Sequence, residues 1–336
     1  MLELAQRLGL DLADAFAGDA ELLADFFEGV RLAIGEAGEK DIFAGLFREG
    51  TNLVVTVWGP TMLENDWCDV TLPVAEDKLD TRDVYILRLL LEHSVKHVEV
   101  QPYTGVGVGY MVEMIQAVQG GSEEVRKRPL LSVLTSALAP LQWLPYSLDI
   151  LFTVGPLHIP IELNTMPIAG ATSPMTMAGT LLQANTEMLM GITIAQTAFP
   201  GMPLMYAARN LLMDAWTGLG LMGRVENTMV AAGMAQIASE LYKMPSNLFG
   251  PVADSMLTDT QSTVERTFRS IVPALCGASV IAGMGHVEHC YTYDPVLLVQ
   301  DDDLIGMLRR LMRGIEVTDE TLGLDAVKRV GPGGDY

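Results

Sequence analysis

Ile159–Ala208 reads IPIELNTMPIAGATSPMTMAGTLLQANTEMLMGITIAQTAFPGMPLMYAA. After Glu162 this stretch holds one charge, Glu187. A short apolar run leads into a glycine-rich loop and then a long segment of helix formers. Pro200-Gly201 breaks that segment, and a second apolar run follows. The order strand, loop, helix, turn, strand is an α/β unit, and its near-absence of charge means burial on nearly all sides.

The same rhythm extends in both directions. Periodicity and capping residues predict helices near 19–35, 81–94, 110–119, 174–198, 225–242, 261–275 and 302–313. Ser173-Pro174 reads as a helix start, Gly120-Gly121 and Pro200-Gly201 as stops. Apolar runs lie at 52–58, 97–101, 130–135, 157–163, 203–207, 246–250 and 279–285. Strands that alternate with helices form a parallel sheet. About seven similar βα units with no linker between them favour a TIM-type (β/α)8 barrel, complete or short of one unit, over a doubly wound open sheet. A missing strand would leave an edge to cover. The expected organisation is an N-terminal helical segment at 1–50 and a barrel domain at 51–336.

Composition narrows the function. Half the chain is hydrophobic (49%) and 19% is charged, enough to build a large core. A net charge of −21 argues against nucleic acid or an anionic membrane as partner and suits a cationic ligand. Cys68, Cys276 and Cys290 show no disulfide spacing, and the opening MLELAQRLGLDLADAF has no leader character, so a reducing, cytoplasmic setting is expected. Met188–Ala208 is uncharged, but Gly191, Pro200, Gly201 and Pro203 interrupt it, which fits a buried helix rather than a membrane span.

Several motifs carry chemistry. Thr104–Tyr110, TGVGVGY, invites a dinucleotide reading, but its third glycine place is Tyr110, so it reads as a βα loop at a barrel mouth. Gly283–Cys290, GMGHVEHC, offers His286, Glu288, His289 and Cys290 as metal ligands. It lacks helical i, i+4 spacing and a second cluster, so the expectation is an imidazole and a carboxylate at the catalytic face, with no tightly bound metal. Aromatic residues at strand ends suit a cage for a quaternary ammonium, although most aromatics serve packing.

These motifs also carry a resemblance. Pro167–Thr176 (PIAGATSPMT), Gln183–Leu189 (QANTEML), Pro200–Ala207 (PGMPLMYA) and the segment from Asp301 through RRLMRGIEV to Gly331–Gly334 (GPGG) resemble the trimethylamine methyltransferase superfamily. The resemblance runs from about Asp80 to Asp335. Pro251–Thr267 is similar to the family stretch TDSK-x-x-DAQ-x-GYE, with Asp254, Ser255, Asp259, Gln261 and Glu265 in matching places and Met256 and Val264 as departures. Tyr206–Gly218, YAARNLLMDAWTG, is similar to YGGFPSAMDMRTG, with Arg209, Asn210 and Trp216 as departures. The aspartates at 301–303 read as a helix cap. Family members are longer, so the chain resembles a shortened member.

The resemblance implies a methyltransferase that moves a methyl group from a methylated, expectedly quaternary, amine to the cobalt(I) of a corrinoid (cobalamin) carried by a partner protein. It implies Glu226, Asp254, Gln261, His286 and Glu288 as catalytic residues, and Tyr103, Asn164, Tyr206 and Trp216 as substrate-binding residues. It is of the non-pyrrolysine type: trimethylamine-specific members carry pyrrolysine at a place near Gln261–Thr263, where this chain has the small Ser262. A homo-oligomer is expected. The alternatives are a non-catalytic amine- or betaine-binding relative and an unrelated TIM-barrel lyase or hydrolase.

Overall fold

The computed structural model describes residues 54–58, 67–70, 82–93 and 97–336. The expected segment 1–50, with its helix at 19–35, lies outside the described residues. In chain order the strands are β1 (Val54–Trp58), β2 (Trp67–Val70), β3 (His97–Val100), β4 (Leu131–Ser136), β5 (Ile161–Thr165), β6 (Ile168–Ala169), β7 (Leu204–Ala208), β8 (Leu211–Met213), β9 (Gly220–Leu221), β10 (Ser246–Phe249), β11 (Val280–Met284), β12 (His286–Val287) and β13 (Thr292–Tyr293). The helices are α1 (Arg82–His93), α2 (Gly105–Gln119), α3 (Ser122–Lys127), α4 (Pro145–Val154), α5 (Met177–Ala198), α6 (Val225–Gln236), α7 (Thr260–Leu275), α8 (Pro295–Met312) and α9 (Leu324–Val330).

Strands β3, β4, β5, β7, β10 and β11 form one curled parallel sheet, and β1 and β2 join its two edges to each other, so the ring of pairings closes. This is the expected TIM-type α/β architecture. The strand that sequence periodicity misses is β2, WCDV, which is only four residues long and has an aspartate at its third position.

Strand alternation sorts the side chains. Val98, Val133, Leu163, Leu204, Leu248 and Ile281 join the helices in the main apolar core. The alternate positions point inward and are unusually polar: His97, Glu99, Ser132, Glu162, Asn164 and Asn247 are all buried. A solvent-free barrel interior normally fills with branched aliphatics. Here it is lined with hydrogen-bonding groups.

The helix α5 crosses over the sheet and holds its neighbours through its one acid. Glu187 is fully buried and accepts hydrogen bonds from the Leu141 amide (2.9 Å), Gln183 Nε2 (2.9 Å) and Thr165 Oγ1. Its carbonyl accepts from Trp143 Nε1 at 3.0 Å. Gly191, one turn on, makes room for that indole: a Cβ there would lie 2.4 Å from Trp143 Cζ2. Glycine to alanine in a helix interior normally stabilises by about 1 kcal/mol. Here overpacking, which costs about 1–3 kcal/mol, should win. Gly191→Ala is expected to lower the urea midpoint; a raised midpoint would show that the indole yields freely.

Two local expectations are corrected. The helix α5 starts at Met177, not at Ser173-Pro174: Thr176 is the N-cap, accepting from the Gly179 amide at 3.3 Å, while Ser173 closes the preceding turn through Gly170 and Ile168. The aspartates at 301–303 do not cap a helix. The helix α8 begins earlier, with Asp294 as N-cap and Pro295 at the first position, and Asp301 sits buried in its middle. Gly120 ends α2 in a left-handed conformation as expected. The glycines of TGVGVGY serve α2 and its packing: Thr104 caps it, and a Cβ on Gly107 would lie 2.6 Å from Asp83 Oδ2.

Candidate functional site

Because the barrel strands are parallel, the loops after β3, β5, β7, β10 and β11 all emerge at one end. They are stitched together there. The loops after β5 and β7 pair with each other as β6 and β8, and β9 extends that small sheet. The loop after β10 bridges to His286, and β12 and β13 form a hairpin beyond β11.

Two buried arginines of α7 fix these loops from below. Arg266 donates from Nε to Asp301 Oδ1 at 2.9 Å, pairs through Nη2 with Asp301 Oδ2, and donates from Nη1 to the His286 carbonyl. Asp301 Oδ2 also accepts from the Gly285 amide at 2.7 Å. Arg269 donates to the Met222 and Phe249 carbonyls. Burial pulls both guanidinium groups down to about 10.

Asp254, in the loop after β10, is the node above them. Its Oδ1 accepts from the Met222 amide at 2.6 Å and faces His289 Nδ1 at 2.8 Å; its Oδ2 lies 3.5 Å from Arg224 Nε. A carboxylate only accepts, so this contact holds the His289 proton on Nδ1. The imidazole is delivered by an unusual backbone. Glu288, His289 and Cys290 take φ values of 52°, 55° and 71°, a left-handed run without glycine. Such conformations cost about 1–3 kcal/mol each and gather at functional sites. The Glu288 and His289 amides donate to the Ser255 and Ala253 carbonyls, which hold the run in place.

Deeper in the barrel, Arg209 Nη1 lies 2.8 Å from Glu162 Oε1, and Asn247 Nδ2 donates to Glu162 Oε2. The guanidinium stacks on Phe249 at 4.9 Å. Toward the N-terminal ends of β3 and β4, His97 Nε2 meets Ser132 Oγ at 2.9 Å, and Ser132 Oγ donates to Glu99 at 3.4 Å.

The expected residues fall into three groups. Asp254, His286 and Asn164 are buried at the strand ends; Asn164 Nδ2 donates to Ser136 Oγ at 3.0 Å. Glu226, Gln261, Glu288, Tyr103 and Trp216 lie in the outer parts of the same loops. Glu226 is exposed in the first turn of α6, Gln261 is exposed and bonded to Glu265, and Glu288 accepts from Thr292 at 2.6 Å. Trp216 is 95% exposed. Tyr206 is corrected: it points outward from β7, its hydroxyl donating to Asn185 on α5 at 2.8 Å, so it packs between sheet and helices and cannot touch a ligand in the barrel. Ser262 is buried in the first turn of α7. His289, Glu162 and Arg209, which the structure places in these buried polar contacts, are not among the expected site residues. The sequence flagged His289 as a possible ligand and Arg209 as a departure, but only the fold shows what each faces.

Among the described residues, no three His, Cys, Asp or Glu side chains gather as metal ligands do. Burial pushes the Cys290 thiol up to about 12, so it is no nucleophile at neutral pH. Burial also lowers His97 and His286 to about 4, with Arg266 adding to the effect at His286. Both are therefore neutral in the fold but protonate near 6.5 when unfolded. The unfolded chain binds more protons below that pH, so stability is full above about 6.5 and falls toward 4, by up to about 1.4 kcal/mol per pH unit for each histidine. Urea midpoints should drop between pH 7.5 and 5 in wild type, and less steeply in His286→Gln.

Comparison with known proteins follows from this geometry. The family model described as trimethylamine methyltransferase (MTTB) matches residues 70–336. The chain belongs to the trimethylamine methyltransferase family. It is 31% identical over 279 residues to the trimethylamine methyltransferase MttB of Methanosarcina thermophila, covering 81% of this chain and 58% of that protein. It is 29% identical over 226 residues to the glycine betaine methyltransferase of Desulfitobacterium hafniense, covering 67% of this chain and 47% of that one. This family member thus spans about half the length of the curated relatives it matches. A solved hydroxylamine complex of MtmB aligns with a TM-score of 0.46 at 13% identity, over 97% of this chain and 81% of that one. No helix among the described residues is long and apolar enough to cross a membrane.

Proposed function

We propose that this chain is a methyltransferase that takes a methyl group from a quaternary amine and passes it to the cobalt(I) of a corrinoid carried by a partner protein. The observation that carries the reading is the buried polar interior of the barrel beneath the strand-end loops, in a chain of this family. The corrinoid supplies a cobalt(I) nucleophile. In the displacement the C–N bond breaks with its electron pair on nitrogen, and a bond from the methyl carbon to cobalt forms. A cation and an electron-rich metal become two less charged products. A dry, low-dielectric site favours such charge loss, because no hydration shell has to be kept.

The residues divide the work. Glu99, buried in the barrel, supplies an acidic group that suits a cationic donor, while Glu162 is paired with Arg209 and Asp254 with Arg224 and His289. A quaternary donor leaves as a neutral amine that needs no proton, and the Asp254–His289 pair, with its Nδ1 proton turned to the carboxylate, presents an Nε2 lone pair at the strand ends. Docking of a large partner is supported by the rim, where Met166 (44%), Trp216 (95%), Met256 (67%), Leu257 (69%) and Tyr291 (82%) are exposed in loops that follow barrel strands. The departures from the family pattern at Met256, Val264 and Trp216 are all at least half exposed, whereas those at Arg209 and Asn210 are buried.

The test is methyl transfer to cob(I)alamin from glycine betaine, choline and trimethylamine in parallel, followed by absorbance. Methylcobalamin is expected from a quaternary donor. Turnover of trimethylamine alone, or no methyl transfer from any donor, would overturn the reading.

A further inference from the structure

One helix of the barrel is apolar on two sides. The helix α8 turns Leu297, Leu298, Ile305 and Leu308 into the core. On the opposite side Val296, Val299 and Met307 are 63%, 62% and 65% exposed. A helix with one face in water normally keeps that face polar, and apolar residues at this spacing form a stripe rather than scattered singles. Gly306 lies in the middle of the same outer face, and a Cβ there would meet nothing within 4 Å. Glycine is the poorest former of helix interiors after proline, and no contact among the described residues asks for it here. What it offers at such a place is close approach by another backbone.

Two charges complete the face. Asp303 and Arg310 are both exposed, two helical turns or about 10 Å apart along the same side. Arg310 Nη1 donates to the Gly314 carbonyl at 2.8 Å, which keeps the guanidinium at the helix end. Placing a second α8 antiparallel against the first, with a two-fold axis between Gly306 and Met307, puts Asp303 of each copy opposite Arg310 of the other. A parallel pair would set aspartate on aspartate and arginine on arginine. The stripe is thus its own complement, in shape at Gly306 and in charge on either side of it. At a net charge of −21 two copies repel overall, so a self-contact needs such local matching. The chain that leaves α8 suits the same arrangement. Ile315 (87% exposed) and Val317 (71%) directly follow the helix end, and in an antiparallel pair that end lies beside Val296 and Val299 of the second copy.

We infer that the outer face of α8 is a two-fold interface between copies of this chain, packed antiparallel at Gly306 and held in register by two reciprocal Asp303–Arg310 pairs. The occupant is a second copy rather than an unrelated protein, because one face supplies both halves of the match. The inference stands apart from the methyl-transfer reading, since the stripe lies on the flank of the barrel and not among its strand-end loops.

The experiment is sedimentation velocity of the full chain over a dilution series at about 0.1 M salt, where surface charges still act across a contact. Wild type should sediment as a dimer that dissociates on dilution. Asp303→Arg sets arginine against arginine across the axis, and Arg310→Asp sets acid against acid. Each variant alone should raise the dimer dissociation constant by about tenfold or more, because two exposed pairs turn from attraction to repulsion. An equimolar mixture of the two variants should recover the dimer, since every contact across the axis is then between opposite charges. Gly306→Leu should also weaken the dimer while raising the thermal midpoint of the monomer, because leucine is the better helix former at an open position. Thermal unfolding confirms that each variant is folded. A monomeric wild type, a dimer of wild-type strength in either single charge variant, or a mixture that stays monomeric would overturn the inference.

Discussion

Asp301→Ala should cost the fold about 3–5 kcal/mol, the penalty for stranding one partner of a buried ion pair. Asp301 is 2% exposed and takes two donors from Arg266 and one from the Gly285 amide. Its removal leaves a buried guanidinium without its carboxylate and frees the turn that leads into β12. A domain holds only about 5–15 kcal/mol in total, so the loss would move the urea midpoint far down. Replacing both partners by apolar residues, Arg266→Met with Asp301→Leu, should recover much of the loss, because the pair's own desolvation disappears with it. A loss below about 1 kcal/mol in Asp301→Ala would show that water reaches the site and that the pair is screened.

His289→Ala should reduce methyl transfer by about 10²-fold or more, the usual contribution of a positioned acid–base group. The imidazole is fixed by Asp254 at 2.8 Å and by three left-handed residues. Asp254→Asn should act in the same direction, since an amide can present its NH2 to Nδ1 and select the other tautomer. The useful readout is kcat against KM: loss of a group that acts only in the transition state falls on kcat, whereas a loosened loop would raise KM as well. Near-native turnover in His289→Ala would remove the pair from the mechanism.

The barrel was legible because its strands are buried on both faces and therefore read as unbroken apolar runs. Trp67–Val70 escaped because four residues holding a cysteine and an aspartate make no such run. Helix starts were harder. Ser173-Pro174 and Thr176 offer the same capping chemistry three residues apart, and the turn that Ser173 closes decides between them. The aspartates at 301–303 look like a cap because charge clusters suit helix starts, yet Asp294-Pro295 already supplies one. The site followed a similar line. Asp254 was visible through its motif. Which histidine of HVEHC meets it depends on the left-handed turn at Glu288, which no periodicity encodes. Arg209 was legible only as an oddity, since its worth lies in the strands that surround it.

Glu187 also has a kinetic meaning. It binds the amide of Leu141, a residue in the loop between β4 and α4, from the middle of α5. Exchange of that amide with solvent deuterium then requires the carboxylate of a fully buried helix residue to let go. Leu141 should exchange on the clock of α5 rather than that of a surface loop, which makes one side of the barrel mouth a fixed wall and leaves breathing motions to the other loops.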